Sequence, residues 1–301
     1  MGKHAYLIMA HSNFEQLQKL ISVLDDKRND IYVHIDKKAS GFQKENFTTK
    51  HSALFFVPRI AVSWGGRSQI TCELELLKAA AYKKTYGYYH LISGQDLPLK
   101  TQDEIHAFFE KSNGKSYMDF DPVDNETKDF LYKVQYWYPV QDYIGRNKDN
   151  ISKRLEWLQN KFLLLQKKLH YSRIKGRENT YYKGANWFSI TDELVRYVLA
   201  KEQDIYKEFR YTMCADEIFL QTLAMNSIYA EKVEKNSMRE IDWERGNPYV
   251  FRLEDYEMLM KSDALFARKF QDSVDGRIID KIVTTLKNEG EIYEMRKGKQ
   301  L

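Results

Sequence analysis

"AYLIMAHSNFEQLQKLISVLDDKRNDIYVHID", residues 5–36, holds three patterns in succession. "AYLIMA" is a continuous apolar run, as expected of a strand covered on both faces. "SNFEQLQKLISVL" then places apolar residues at helical spacing, and "DIYVHID" is a second apolar run. Strand, helix and strand in so short a stretch make a βαβ unit, whose crossover forces the two strands to be parallel. The chain therefore opens an α/β fold.

The pattern continues outward. "ALFFV" (53–57) adds a strand, and "SQITCELELLKAAAYKK" (68–84) combines strong helix formers with an apolar stripe. "YGYYHLIS" (86–93) is another buried strand, running into "GQDLP". Open α/β sheets collect ligands at the carboxyl ends of their strands, which makes Asp36, Ser93 and Asp96 site candidates. Thr101 and Glu104 form a capping box that starts the next helix. "KSYMDFD" (115–121) is a further strand with Asp119 and Asp121 at its end, and strand character resumes in "NTYYKGANWFSIT" (179–191), "MREIDWE" (238–244) and "PYVFRL" (248–253). With no repeat, low-complexity tract or linker, one continuous domain over 1–301 is expected, its C-terminal elements folding back over the sheet.

Composition narrows the classes. The 301 residues are 43% hydrophobic and 30% charged, the balance of a folded soluble chain, and no run approaches the roughly 18 apolar residues of a membrane span. A net charge of +4 allows an anionic substrate or surface without calling for nucleic acid. Cys72 and Cys214 lack metal-ligand spacing, so two free thiols in a reducing compartment are expected. "MGKHAYLIMAHSN" has no small-residue cleavage site and is not read as a secretory signal, which makes a cytoplasmic location the expectation. Between about 140 and 180 the chain is basic and amphipathic; that segment is either a solvated cover for the sheet or a contact for an anionic membrane.

Several chemistries drop out. No P-loop or G-x-G-x-x-G follows the first strand, no nucleophile elbow is present, and the seven histidines lack zinc spacing. "SWGGRS" (63–68) offers Gly65 and Gly66 for a turn or for close approach to a ligand. Asp119 and Asp121 form a D-x-D, a weak signal for a divalent cation. In "CADEIFLQTL" (214–223), Asp216 and Glu217 stand at the head of an amphipathic helix, where acids cap free N–H groups or do chemistry. "ALFARKF" (264–270) puts Arg268 and Lys269 beside an apolar run, with Arg245 and Arg252 upstream. These are either surface cations or neutralisers of a diphosphate leaving group.

"AYLIMAHSN", "IYVHIDKK", "SWGGRS", "YYHLISGQDLPLK", "KGANWFSIT", "CADEIFLQTLAMNS", "REIDW" and "LFARKF" follow one another as in the core-2/I-branching β-1,6-N-acetylglucosaminyltransferases, glycosyltransferase family 14, whose pattern the peptide O-xylosyltransferases share. The chain resembles that family over roughly residues 4 to 270. The resemblance implies an α/β fold of the glycosyltransferase-A type, with a Rossmann-like, mostly parallel central sheet flanked by helices. It also implies a UDP-sugar donor, a glycan or lipid-linked glycan acceptor, and an inverting, single-displacement reaction that requires no metal. Residues 1–121 would be the nucleotide-sugar-binding half, and residues 122–301 the acceptor-binding and catalytic half.

By motif, Glu217 resembles the general base and Asp216 the residue that positions it, while Lys269 resembles the lysine at the diphosphate. Its arginine partner is expected to be Arg252, with Arg245 and Arg268 behind it, because the segment after "REIDW" is shorter than in the animal enzymes. His11 and Asp36 resemble the uridine-holding positions. Trp64 is expected to stack on the donor and Trp187 on the acceptor, and Asp96 to hold the donor loop or contact the sugar. The two cysteines and the short lead into the first strand resemble a bacterial member acting in surface polysaccharide or glycoconjugate synthesis, peripheral at the inner face of the cell membrane. Three alternatives stay open: UDP-xylose or another donor sugar, a metal held by Asp119 and Asp121, and a non-catalytic glycan or membrane binder.

Overall fold

The computed structural model describes residues 2–146 and 149–298. These residues form strands β1 (His4–Ala10), β2 (Asn29–Ile35), β3 (Ala53–Phe56), β4 (Tyr88–Ser93), β5 (Leu97–Pro98), β6 (Ser116–Met118), β7 (Phe188–Thr191), β8 (Val233–Glu234), β9 (Arg239–Ile241) and β10 (Phe266–Arg268). Seven of them make the central sheet, in the order β3-β2-β1-β4-β7-β6-β8, while β5, β10 and β9 make a small second sheet. In the central sheet only β7 runs antiparallel to its neighbours. This is the Rossmann-like, mostly parallel α/β arrangement expected.

Alternation along the strands builds two cores. In β1, Ala5 and Leu7 face one side, where helix α2 (Arg67–Ala81) and the helix Asp192–Ala200 pack. Tyr6, Ile8 and Ala10 face the other, toward helices α1 (Phe14–Leu24) and α3 (Gln102–Lys111). The C-terminal helix, Asp272–Gly298, returns to that second face and buries Ile278, Ile279 and Ile282. The α3 side also encloses three histidines. His4 stacks on His106 with ring centroids 3.9 Å apart, and a ring nitrogen of His90 lies 3.0 Å from one of His4. Burial holds all three pKa values below the ordinary imidazole value, His106 at about 4.

Three local expectations change. "PYVFRL" forms no strand; its chain is held by single bonds, Phe251 N–H to Lys269 O among them. In "NTYYKGANWFSIT" only residues 188–191 pair as a strand. Asp216 and Glu217 do not head the helix that follows. They lie in a separate 3₁₀ turn, Ala215–Glu217, entered through Cys214 at φ 49°, and the helix Phe219–Met225 starts after it without a side-chain cap.

Candidate active site

The first three strands run outward from β1 in one direction and β4 lies on the other side, so the sheet has its switch point between β1 and β4. There the carboxyl ends of adjacent strands part and leave a crevice. His11 follows β1, Asp36 follows β2, and Ser93 and Asp96 close β4. Because β7 is antiparallel to β4, Trp187 enters β7 at this same edge, and Asp119 leaves β6 there.

At one end of the edge are the two acids. Glu217 makes a salt bridge with Lys133 at 3.3 Å, and about a third of its side chain is exposed. Its backbone carbonyl accepts the N–H of Gly184, where a Cβ would run into the carbonyl of Asp119. Only glycine lets these two segments meet. Asp216 points inward: Oδ2 accepts from Gln69 Nε2 at 2.6 Å, and Oδ1 is buried without a partner. Burial first, and then the charge of Glu217, push its carboxyl up to about 7. Gln69 and Glu73 share a face of α2 at i, i+4 spacing. Glu73 is fully buried; burial and the nearby Asp216 hold it well above the ordinary carboxylate range. The two adjacent acids thus have opposite surroundings, one open to the edge and one locked behind it.

At the other end are cations. Burial lowers the Lys269 pKa, helped by the charges of Arg268 and Arg146. His11 is also lowered, first by desolvation; Asp36 opposes this, and Lys269 and Arg146 reinforce it. Arg146 lies over the ring of Trp64, 4.7 Å from its centroid. Lys269 pairs with no carboxylate among the described residues, so this end holds positive charge in want of an anion. Behind it, Asp96 accepts from the N–H and hydroxyl of Ser93 and lies 3.3 Å from Arg268 Nε. Arg239, buried under Asp96, donates to Ser189 Oγ at 2.9 Å and to the carbonyl of Phe188 at 2.7 Å.

The structure brings His11, Asp36, Trp64, Asp96, Arg268 and Lys269 to this edge. Arg252 is exposed at the start of a 3₁₀ turn, one residue after Phe251, whose N–H donates to the Lys269 carbonyl, and Arg146 is a further cation whose charge bears on Lys269. Arg245 is engaged with Asp242 and Asp255. Trp187 is buried and carries the Arg268 guanidinium 4.2 Å from its ring centroid, so it backs the arginine rather than offering an open stacking face.

The remaining motif residues have local partners. Asp119 accepts from Ala185 N–H, and Asp121 caps the helix Pro122–Thr127 and lies 3.6 Å from Lys183. Gly65 and Gly66 serve packing: Gly65 O accepts from Cys214 N–H, and Asp142 fills the space beside Gly66 while capping α2 through Ser68. Sequence reading missed Gln69, Glu73, Lys133, Arg146, Lys183 and Arg239. Lys183 and Arg239 had a signal, their places in the "KGANW" and "REIDW" blocks.

The raised pKa of Glu73 has a thermodynamic consequence. A carboxyl raised on folding contributes stability that is present below its unfolded pKa and is lost as pH rises through the folded value. Glu73→Gln is therefore expected to gain stability relative to the parent as pH rises above about 4.5, by up to about 1.4 kcal/mol per pH unit. Urea melts of both proteins at pH 5 and pH 8 measure it. Equal differences at the two pH values would mean that Glu73 ionises freely.

The chain belongs to the Core-2/I-Branching enzyme family, whose model matches residues 4–260. Among curated proteins it is similar to Xylosyltransferase 2 of Pan troglodytes, 23% identical over 92% of this chain and 33% of that protein. It is also similar to Xylosyltransferase 1 of Canis lupus familiaris, 21% identical over 92% of this chain and 30% of that protein. The chain thus spans about a third of the length of these relatives. A solved structure, mouse Xyloside xylosyltransferase 1 in its apo form, aligns with a TM-score of 0.37 at 8% identity, covering 88% of this chain and 97% of that one.

Proposed function

We propose that the chain is an inverting glycosyltransferase of the glycosyltransferase-A type that moves a sugar from a UDP carrier to a glycan hydroxyl without a metal. The observation that carries this reading is the pairing of ends along one edge: an open carboxylate, Glu217, and an anion-seeking group, Lys269 with Arg146. In a single displacement the acceptor oxygen bonds to the anomeric carbon as its bond to the diphosphate breaks. Glu217 takes the hydroxyl proton, and the charge growing on the departing UDP falls to Lys269 and Arg146. His11, Asp36 and Trp64 hold the nucleotide in this reading, with Asp96 bracing Arg268. Residues 1–121 supply most of the donor half of a single domain, and residues 122–301 supply the acceptor side and the base.

GlcNAc is the donor sugar that the sequence resemblance favours; xylose is the second reading, favoured by the names of the similar proteins. A metal role for Asp119 and Asp121 would require them to give up Ala185 N–H and Lys183.

Thermal shift with a panel of nucleotide sugars, each with and without EDTA, tests the reading. A donor at a hundredfold excess over its Kd adds about 2.7 kcal/mol, or roughly 4 °C for a chain of this size. Stabilisation by UDP-GlcNAc or UDP-xylose that survives EDTA is the expected result. Stabilisation lost with EDTA would move the site to Asp119 and Asp121, and no response to any UDP-sugar would overturn the donor assignment.

A further inference from the structure

The helix Asn150–Lys168 is amphipathic with its polarity reversed. The side chains it buries are Ser152, Gln159 and Gln166, seven residues apart, with Leu155 and Leu163 half-buried between them. Gln159 Nε2 donates to Gln141 Oε1, and Gln166 exchanges hydrogen bonds with the N–H and carbonyl of Trp137. The outward face carries the large apolar residues. Ile151, Leu158, Phe162, Leu165 and Leu169 fall within one narrow stripe at helical spacing, and Leu158 is 54% exposed. Trp157 (58% exposed) and Leu164 form a second, shorter apolar line. Between the two lines run Arg154, Lys161 and Lys168, again seven apart, and over the whole helix five cations meet one acid, Glu156.

An ordinary surface helix would place these leucines against the sheet, because each fully buried one contributes about 2 kcal/mol. Here hydrogen-bonding glutamines hold the helix down and leave the apolar stripes free. We propose that this face lies on an anionic lipid bilayer, the apolar lines entering the acyl boundary and the central cations meeting lipid headgroups. Charge selects this occupant over a second copy of the chain. In a two-fold pair of antiparallel helices Arg154 would meet Lys168 and Lys161 would meet Lys161, so every central contact would be repulsive. Long basic side chains flanked by leucine and tryptophan suit a headgroup layer, since their stems stay in the apolar boundary while their charged ends reach the phosphates.

The helix is tied to the site through its buried side: Gln141, which Gln159 holds, donates to the carbonyl of Trp64. Docking would bring the crevice to the membrane, where a lipid-linked acceptor is presented. Among the described residues no helix is long and apolar enough to cross a membrane.

The full chain, sedimented with vesicles of phosphatidylcholine alone or with one-third phosphatidylglycerol, tests this without donor or acceptor, so its outcome is independent of the proposed reaction. Binding to the anionic vesicles only, weakened by salt, is expected, with a blue shift of Trp157 emission that Trp157→Ser removes. Arg154→Glu with Lys161→Glu should lower the partition coefficient at least about tenfold. Leu158→Ser with Leu165→Ser, also outward-facing, should do the same. Absence of binding to anionic vesicles, or binding indifferent to both double variants, would overturn the proposal. So would a dimer in sedimentation velocity that the leucine variants dissociate.

Discussion

Replacing Glu217 with Gln is expected to lower the turnover of sugar transfer by roughly 10²–10⁴-fold, the range that a general base contributes. The substitution keeps the shape of the side chain and removes its capacity to take a proton. The backbone carbonyl of residue 217 still accepts Gly184 N–H, so the turn stays in place. The charge pair with Lys133, whose side chain is only 14% exposed, is lost, but the Gln amide oxygen can still accept a hydrogen bond from that ammonium. Donor binding, read by thermal shift, should therefore match the parent while kcat falls. That split separates a group acting in the transition state from one that only holds the fold. Transfer within threefold of the parent at saturating acceptor would remove Glu217 from the mechanism. Asp216→Asn tests the neighbouring acid: because Asp216 is buried against Gln69, its loss should show in stability as well as in rate.

Lys269→Ala should lower kcat/KM by roughly 10²–10³-fold and weaken UDP itself, because an electrostatic donor aimed at a developing charge in a sheltered site contributes about that much. Arg146→Ala should act in the same direction with a smaller effect, since its guanidinium also rests on Trp64 and is more open. Arg252→Ala should remain near the parent. The order of these three variants is the measurement, taken from initial rates with the donor varied and from UDP titrations. If Arg252→Ala falls as far as Lys269→Ala while Arg146→Ala does not, the cation assignment made from the structure is wrong and the one made from sequence spacing is right. Lys269→Arg should recover part of the loss, because the charge returns in a different geometry.

Much of the frame was legible in the order of residues. Apolar runs and helical spacing in residues 5–36 dictated a parallel βαβ unit, and a parallel sheet sends its ligands to the carboxyl ends of its strands. Asp36, Ser93 and Asp96 could therefore be named before any coordinates, His11 was added by the family resemblance, and the structure finds all four at the carboxyl ends of the strands around the switch point. The capping box at Thr101 and Glu104 was readable for the same reason: its partners lie three residues apart, so local sequence contains the whole interaction.

Where the reading failed, the partners lie far apart in sequence. "CADE" looked like a helix cap, yet Cys214 turns the chain through a left-handed residue and Asp216 bonds to Gln69, 147 positions away. Arg146 sits in a stretch with no motif and reaches the cation cluster only because the segment around Gln141 and Asp142 packs onto the start of α2. Trp187 has the composition of a stacking platform, and only folding set Arg268 on its face.

The sequence by itself determined the opening strand–helix–strand frame, most of the helices that flank it and the edge at which chemistry belongs, because periodicity and turn chemistry act over a few residues. The tertiary structure decided which acid is open, which cation stands beside Lys269, and which face of the helix Asn150–Lys168 looks outward. Those outcomes depend on burial and on charges brought together by long-range packing. No local pattern encodes them.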